Sequence, residues 1–348
     1  EKLALPLEKV KIVSSTSGSV SGFTQPVLMA LEEWTSYVEL EARIRWSLGV
    51  RPSDVAQILT GFACCERAYE RLGAATLLGH AGRRNLDHQV RLANVMGVTV
   101  LEHLPSLVLR YFERAKELEI NIRDTKLRLV SGVGEGWAQA YRKRVETEYG
   151  CPFRTFYGSV EALGAAECEY GGGMHILGDM CIYEVIDTET REILPPGEEG
   201  ELVITPFHNE AVPLIRYRTG DVGSIPPYEP CPCGRTHPKL SFVKGRVSQI
   251  IRVSGKKLLP MDIEEVVAST PELGSEYQII VDKPGELSRL KVKVETGRGV
   301  KESTALRRRV EEGFHRVLGV EAEVELVSPG TIDRAIFKVQ RIIKTFSK

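Results

Sequence analysis

Between Asp54 and Val130 short apolar runs alternate with amphipathic stretches, and this alternation restricts the fold more than any other feature. Ala75-Thr76-Leu77-Leu78 reads as a strand and Asp87–Met96 as a helix; Val98–Leu101 then reads as a strand and Ser106–Leu118 as a helix. Leu127-Arg128-Leu129-Val130 is a further strand, leading to a glycine-rich turn and a helix that runs to Tyr149. Strands linked through helices pair in parallel, because only a crossover connection returns the chain to the same end of a sheet. The expectation is therefore an α/β fold with a largely parallel sheet. Upstream, 9–13 reads as a short strand and Pro26–Leu48 as a helix carrying Leu28, Leu31, Val38 and Leu48.

Beyond Tyr157 the texture changes. Met180–Asp187, Gly200–Thr205 and Val222–Ile225 are short strand-like runs between turns such as Pro195-Pro196-Gly197. Past Gly245-Arg246, Leu290–Val294 and Ala322–Leu326 alternate as half-buried strands, while Leu306, Val310, Phe314 and Val317 recur at helical spacing. The reading is a large α/β domain over 1–244, with a β-rich subdomain at 152–244, and a small α+β domain at 245–348.

The net charge of −1 offers no bulk attraction to a polyanion, so nucleic acid is not an expected partner. No apolar run is long enough to span a bilayer and no signal-peptide pattern opens the chain, so a cytoplasmic protein without a membrane partner is expected. The chain begins on Glu1, without an initiator methionine, and is expected to be part of something longer. Seven cysteines, an odd number spread unevenly, suit reduced thiols better than a disulfide framework.

Four of those cysteines and histidines have metal-ligand chemistry. Cys231 and Cys233 offer two sulfurs from one turn, and Cys168 and His175 offer a sulfur and an imidazole from a hairpin-like segment. Thiolate and imidazole are what tetrahedral zinc prefers, and a closed structural site needs four ligands. His237 is the alternative fourth ligand. At the other end of the chain, Ile12-Val13 runs into Ser14-Ser15-Thr16-Ser17-Gly18-Ser19, with Gly22 closing the run. Small residues after a strand let backbone N–H groups approach a phosphate.

Several further motifs fall in a telling order: Tyr157-Gly158-Ser159-Val160-Glu161, then Arg216-Tyr217-Arg218-Thr219-Gly220-Asp221, Gly245-Arg246, Arg252–Pro260 with Glu264-Glu265, and Lys338. In this order the chain resembles the adenylate-forming (AMP-binding) superfamily, specifically its phenylacetate–coenzyme A ligase-like branch, over essentially its whole length. The family's N-terminal helical segment is missing from the match. The resemblance implies ATP- and Mg²⁺-dependent adenylation of a carboxylic acid, an aromatic one by this likeness, followed by transfer to coenzyme A, with the C-terminal domain as a mobile lid. It also implies roles. Ser17, Gly18 and Ser19 would cradle phosphate, and Gly134 and Glu135 would flank the adenine and acyl pocket. Tyr157, beside Gly158, would stack on adenine, Glu161 would hold Mg²⁺, Asp221 would accept from the ribose hydroxyls, and Arg246 would contact the nucleotide. Lys338 would bridge the α-phosphate and the carboxylate. Relatives carry the same Cys/His pairing, which implies structural Zn²⁺ on Cys168, His175, Cys231 and Cys233. A homodimer is compatible with the likeness.

The chain also departs from the pattern. Gly22 stands where the family loop has lysine, Val160 where it has threonine, and Ser248 where it has a hinge acid. Losing one preorganised donor costs roughly 10²–10³-fold in rate. The resemblance, which includes relatives acting on a deazaflavin cofactor, leaves one alternative, adenylation of a cofactor or carrier without a coenzyme A thioester; the departures favour a second, a silent nucleotide-binding or interaction protein. Glu161, Asp221, Arg246 and Lys338 argue against the silent reading.

Overall fold

The computed structural model describes residues 3–15, 26–60, 63–77, 85–159, 161–333 and 340–346. Ser17, Gly18, Ser19 and Lys338 lie outside the described residues, as do Gly22 and Val160. The chain divides into two compact units, one of 1–134 with 149–243, the other of 135–148 with 244–348.

In the first unit an eight-stranded sheet runs in the order Lys239–Leu240, Met174–Ile176, Leu163–Ala166, Phe153–Gly158, Leu129–Gly132, Val100–His103, Val55–Ile58, Ala75–Leu77. The last five are parallel, as the alternating pattern demands. From Phe153–Gly158 outward the pairing turns antiparallel. Both edges are short, two residues at one side and three at the other. The stretch 152–244 is thus not set apart: its first strands extend the main sheet. Cys181–Ile186, Gly200–Pro206 and Tyr217–Gly223 pair antiparallel in a second sheet.

Pro26–Ala30 is a strand and not the start of a helix, because it pairs antiparallel with Val10–Ser15. The helix begins at Leu31 and runs to Leu48. Its start is fixed by Glu33, whose Oε2 accepts the Ala30 N–H at 2.6 Å. The other Glu33 oxygen accepts the N–H groups of Glu210 (2.6 Å) and Ala211 (3.0 Å), tying a distant loop to this helix.

The core of this unit contains an ion cluster. Arg45, fully buried, grips Glu102 through a fork, Nε to Oε2 at 3.1 Å and Nη2 to Oε1 at 2.8 Å. It also pairs with Glu41 one turn earlier and donates to Cys65 Sγ at 3.1 Å. Tyr69 donates to Glu102 at 3.0 Å, and the guanidinium lies 4.6 Å from the Phe156 ring centroid. One side chain therefore joins helix Leu31–Leu48, helix Ala63–Leu72 and the strands Val100–His103 and Phe153–Gly158.

The second unit holds a four-stranded sheet in the order Ala322–Val327, Leu290–Thr296, Leu273–Val281, Ile342–Lys344. Helices Pro260–Ala268 and Thr304–Leu318 pack on it through Ile263, Val310 and Phe314 against Tyr277, Ile279 and Val292. The segment 135–148, with most of helix Gln139–Tyr149, groups with this unit.

Removing one partner of a buried ion pair strands the other charge, at about 3–5 kcal/mol. Arg45→Met is expected to lose that much in urea denaturation. Arg45→Lys should fall between it and the parent, since an ammonium keeps the charge and loses the fork.

Candidate functional site

Phe153–Gly158 is where the main sheet changes from parallel to antiparallel, and Tyr157 sits at its carboxyl end. In open α/β sheets ligands collect at such switch points, outside the carboxyl ends of the strands. The register slips between Tyr157 and Gly158, which turns the chain toward Ser159 and Glu161. Tyr157 donates from its hydroxyl to Asp221 Oδ2 at 2.7 Å, which fixes the torsion of its ring. Tyr183, half-buried beside it, stands edge-on with ring centroids 6.3 Å apart.

Asp221 reaches this position through a bulge. Strand Tyr217–Gly223 pairs Val222 with Glu201 and Arg218 with Val203, so Thr219, Gly220 and Asp221 stand against Leu202 alone. Gly220 has φ +75°, a left-handed conformation that a side chain disfavours. Buried Glu201 secures the bulge: Oε1 accepts the Gly220 N–H at 3.2 Å and Oε2 accepts Arg218 Nε at 2.9 Å. Thr219 Oγ1 donates to Leu202 O at 2.8 Å and accepts the Asp221 N–H at 3.0 Å. Bulges of this kind commonly re-aim a side chain beside a site.

Glu161 lies within a tight turn in which Ser159 and Ala162 exchange backbone hydrogen bonds. Asn209 donates to the Glu161 carbonyl at 2.7 Å, Tyr217 OH lies 3.5 Å from its Oε1, and Tyr37 donates to Ser159 O at 3.4 Å. The carboxylate itself is half-buried. Tyr157, Gly158, Glu161 and Asp221 are thus brought together in the first unit, which also carries Gly134 just past strand Leu129–Gly132. Glu135 and Arg246 belong to the second unit. There the Arg246 N–H is held by Gln249 Oε1 at 3.0 Å, just past the Ser248 position. Asn209, Tyr37 and Tyr183 escaped the sequence reading, since no local pattern marks a residue brought in from a loop or another sheet. Tyr217 lay inside a quoted motif and was given no role.

The Cys/His group also assembles. The ligand atoms of Cys168, His175, Cys231 and Cys233 all lie within 4.8 Å of one another. Cys168 and Cys231 sulfurs are 3.7 Å apart, too far for a disulfide and close to the edge of about 3.8 Å that a tetrahedron with ~2.3 Å Zn–S bonds requires. Cys233 Sγ lies 3.3 Å from His175 Nε2. The other His175 nitrogen, Nδ1, meets the His237 carbonyl at 3.3 Å, a contact that directs Nε2 toward the sulfurs. His237 supplies its backbone there, and the fourth ligand atom is on His175. The hairpin to His175 turns through left-handed Gly171, Gly172 and Gly173; a Cβ on Gly173 (φ +112°) would sit 3.0 Å from the Leu240 carbonyl. Burial pushes the Cys168 thiol up to about 11 and lowers the His175 imidazole, leaving it neutral and able to ligate. Burial also opposes the Cys233 thiolate, but hydrogen bonds from Arg235, Cys231 and Cys168 outweigh it and bring that thiol down to about 7.

Comparison with known proteins accords with this geometry. Residues 255–345 match the AMP-binding enzyme C-terminal domain. The phenylacetate-coenzyme A ligase of Aromatoleum evansii is 30% identical, over 98% of this chain and 80% of its own length. That of Thermus thermophilus is also 30% identical, over 95% and 80%. A crystal structure of 2-hydroxyisobutyryl-CoA ligase, in the postadenylation state with 2-HIB-AMP, superposes with a TM-score of 0.90 at 26% identity, covering 98% of this chain and 75% of that one. These define an adenylate-forming, AMP-binding enzyme, and within that class the chain belongs to the phenylacetate–coenzyme A ligase-like branch.

A Cβ at Gly220 would have nothing within 4 Å, so an alanine there is opposed only by backbone conformation. Gly220→Ala is expected to cost about 1–2 kcal/mol in urea denaturation, and Gly220→Asn less.

Proposed function

We propose that this chain adenylates a carboxylic acid with ATP and passes the acyl group to coenzyme A. The observation that carries this is the Tyr157–Asp221 pair at the carboxyl end of the parallel sheet, with the Glu161 carboxylate one turn further on. The curated relatives named above are acyl-CoA ligases of this type, and they do not favour the carrier or silent alternatives.

Each step follows from charge. An oxygen of the acid attacks the α-phosphorus, the bond to the β-phosphate oxygen breaks, and pyrophosphate leaves. The acid's carboxylate and the triphosphate are both anionic, so this step needs cations and oriented donors more than it needs a base. Lys338 answers that need from the C-terminal unit, which serves as the mobile lid, and Arg246 contacts the nucleotide. Ser17, Gly18 and Ser19 receive the phosphates through backbone N–H groups, which do not require the lysine replaced at Gly22. Tyr157 offers its ring to adenine, Asp221 its carboxylate to the ribose hydroxyls, and Gly134 and Glu135 flank the pocket. Glu161 is the hard oxygen ligand that a Mg²⁺ ion requires, and such an ion supplies positive charge to the phosphates. In the second half-reaction the coenzyme A sulfur bonds to the acyl carbon and its proton passes to solvent, while the bond from that carbon to the phosphate oxygen breaks and AMP leaves with the electron pair.

The acid is taken to be aromatic, as in the two phenylacetate-coenzyme A ligases named above. The three sulfurs and one nitrogen of the Cys/His cluster suit Zn²⁺, and four protein ligands leave no open position, so the ion braces the fold and takes no part in the reaction. No described helix is long and apolar enough to cross a membrane, and the cysteines are all free thiols, which suits the reducing cytoplasm.

ATP–pyrophosphate exchange across a panel of aryl acids is expected to reveal activity, and Lys338→Ala to lower it roughly 10²–10³-fold. No exchange with any acid, together with no ATP binding in calorimetry, overturns the reading. Purified, unchelated protein should contain one zinc per chain, and Cys231→Ser should lose the metal and lower the melting temperature; metal analysis without zinc removes that part.

A further inference from the structure

Against helix Leu31–Leu48 the first unit holds a cavity of about 550 Å³, within the roughly 300–1,000 Å³ of small-molecule sites. Every residue that lines it belongs to that unit, and none is among those assigned above to the nucleotide. Arg43 and Trp46 lie about 9 and 14 Å along the helix axis from Tyr37, the residue that reaches Ser159 beside Glu161. The cavity is thus a separate place on the same helix.

Its wall combines two chemistries. Leu72, Ile176 and Leu177 make part of it apolar, while Arg43, Arg71 and Arg235 stand against one acid, Glu39. Arg43 pairs with Asp179 at 2.9 Å and Arg71 with Glu39 at 2.7 Å, and these four side chains are between 40% and 65% exposed. Water competes with pairs so exposed and holds them weakly, so both arginines can turn a donor onto a bound anion. Arg235 adds a third positive charge and is anchored by its hydrogen bond to Cys233. Trp46 supplies the aromatic surface. Its indole is 46% exposed, yet its place is fixed. The Arg51 guanidinium lies 4.2 Å from the ring centroid and donates to the Trp46 and Val50 carbonyls at 3.0 and 2.8 Å. An indole that is held but left uncovered is a ready surface for a second ring.

We propose that this cavity is a second small-molecule site, and that it binds an aryl carboxylate with its ring on Trp46 and its carboxylate on Arg43 and Arg71. A guanidinium fork matches the two oxygens of a carboxylate. A bare anion would leave the apolar wall uncovered, and a neutral arene would leave the arginines unused. A flat ring also covers an indole at less cost in chain entropy than a flexible aliphatic tail. This assignment does not rest on the adenylation reading, since none of the nucleotide residues takes part.

The indole itself reports occupancy. The chain has three tryptophans, Trp34, Trp46 and Trp137, and the Trp46 indole N–H resonance is identified by its loss in Trp46→Phe. Titration with phenylacetate is expected to shift that resonance saturably, with half-saturation at about 1 mM or below. The double variant Arg43→Ala with Arg71→Ala, both on the surface, is expected to weaken this binding roughly tenfold or more, with the melting temperature little changed. Inorganic phosphate, benzyl alcohol and hexanoate, which lack the ring, the charge and the flat body in turn, should each bind roughly tenfold more weakly than phenylacetate. No saturable shift at Trp46, or a shift of equal midpoint in the double variant, overturns the proposal. Phosphate binding as tightly as phenylacetate reduces the cavity to a charged patch, and hexanoate or benzyl alcohol doing so overturns the ligand class.

Discussion

The Arg45–Glu102 fork is the constraint from which the first unit is organised. A guanidinium taken wholly out of water is costly unless its donors are used, and here they are spent on two carboxylates and a thiol while its face lies near Phe156. Such a group has few acceptable positions. Helix Leu31–Leu48 must present Arg45 where strand Val100–His103 presents Glu102, and Tyr69 must arrive from helix Ala63–Leu72 to share the load. Apolar packing alone would leave these elements more freedom to slide. The fork also lies beside Phe156 in strand Phe153–Gly158, next to Tyr157 in the chain, so the strand that carries the aromatic ring is anchored at its neighbour.

From that base the site is assembled by a relay of carboxylates, each serving backbone N–H groups. Glu33 holds the loop that brings Asn209 to Glu161. Glu201 holds the bulge that turns Asp221 toward Tyr157. Neither touches the reacting atoms in the reading given above, yet each fixes a neighbour that does. A site built by buried acceptors on rigid elements keeps its geometry without needing ligand to order it.

Much of this was legible in the sequence. The parallel sheet and three of its five parallel strands, Ala75–Leu77, Val100–His103 and Leu129–Gly132, followed from the alternation of apolar runs and helices, since crossover geometry admits few other solutions. The Cys/His cluster was legible because ligand chemistry restricts residue type so strongly, although spacing left His175 and His237 open until the carbonyl contact assigned them different tasks. Pro26–Ala30 misled, because a five-residue strand with no strict alternation cannot be told from the first turn of the helix it precedes. The antiparallel extension of the main sheet was hidden for another reason: local pattern reports a strand and never its neighbour. The grouping of 135–148 with the C-terminal half was equally invisible, resting on Glu264 and Glu265 more than a hundred residues away.

The width of the main sheet has one more consequence. Eight strands would normally expose two long rows of unpaired backbone groups, each a template for another chain. Here one border is Lys239–Leu240, which follows the loop that carries Cys231 and Cys233, and the other is Ala75–Leu77. Neither offers enough consecutive groups to recruit a passing strand. The shortness of both border strands therefore guards solubility as well as shape: the sheet stops where continuing it would invite aggregation.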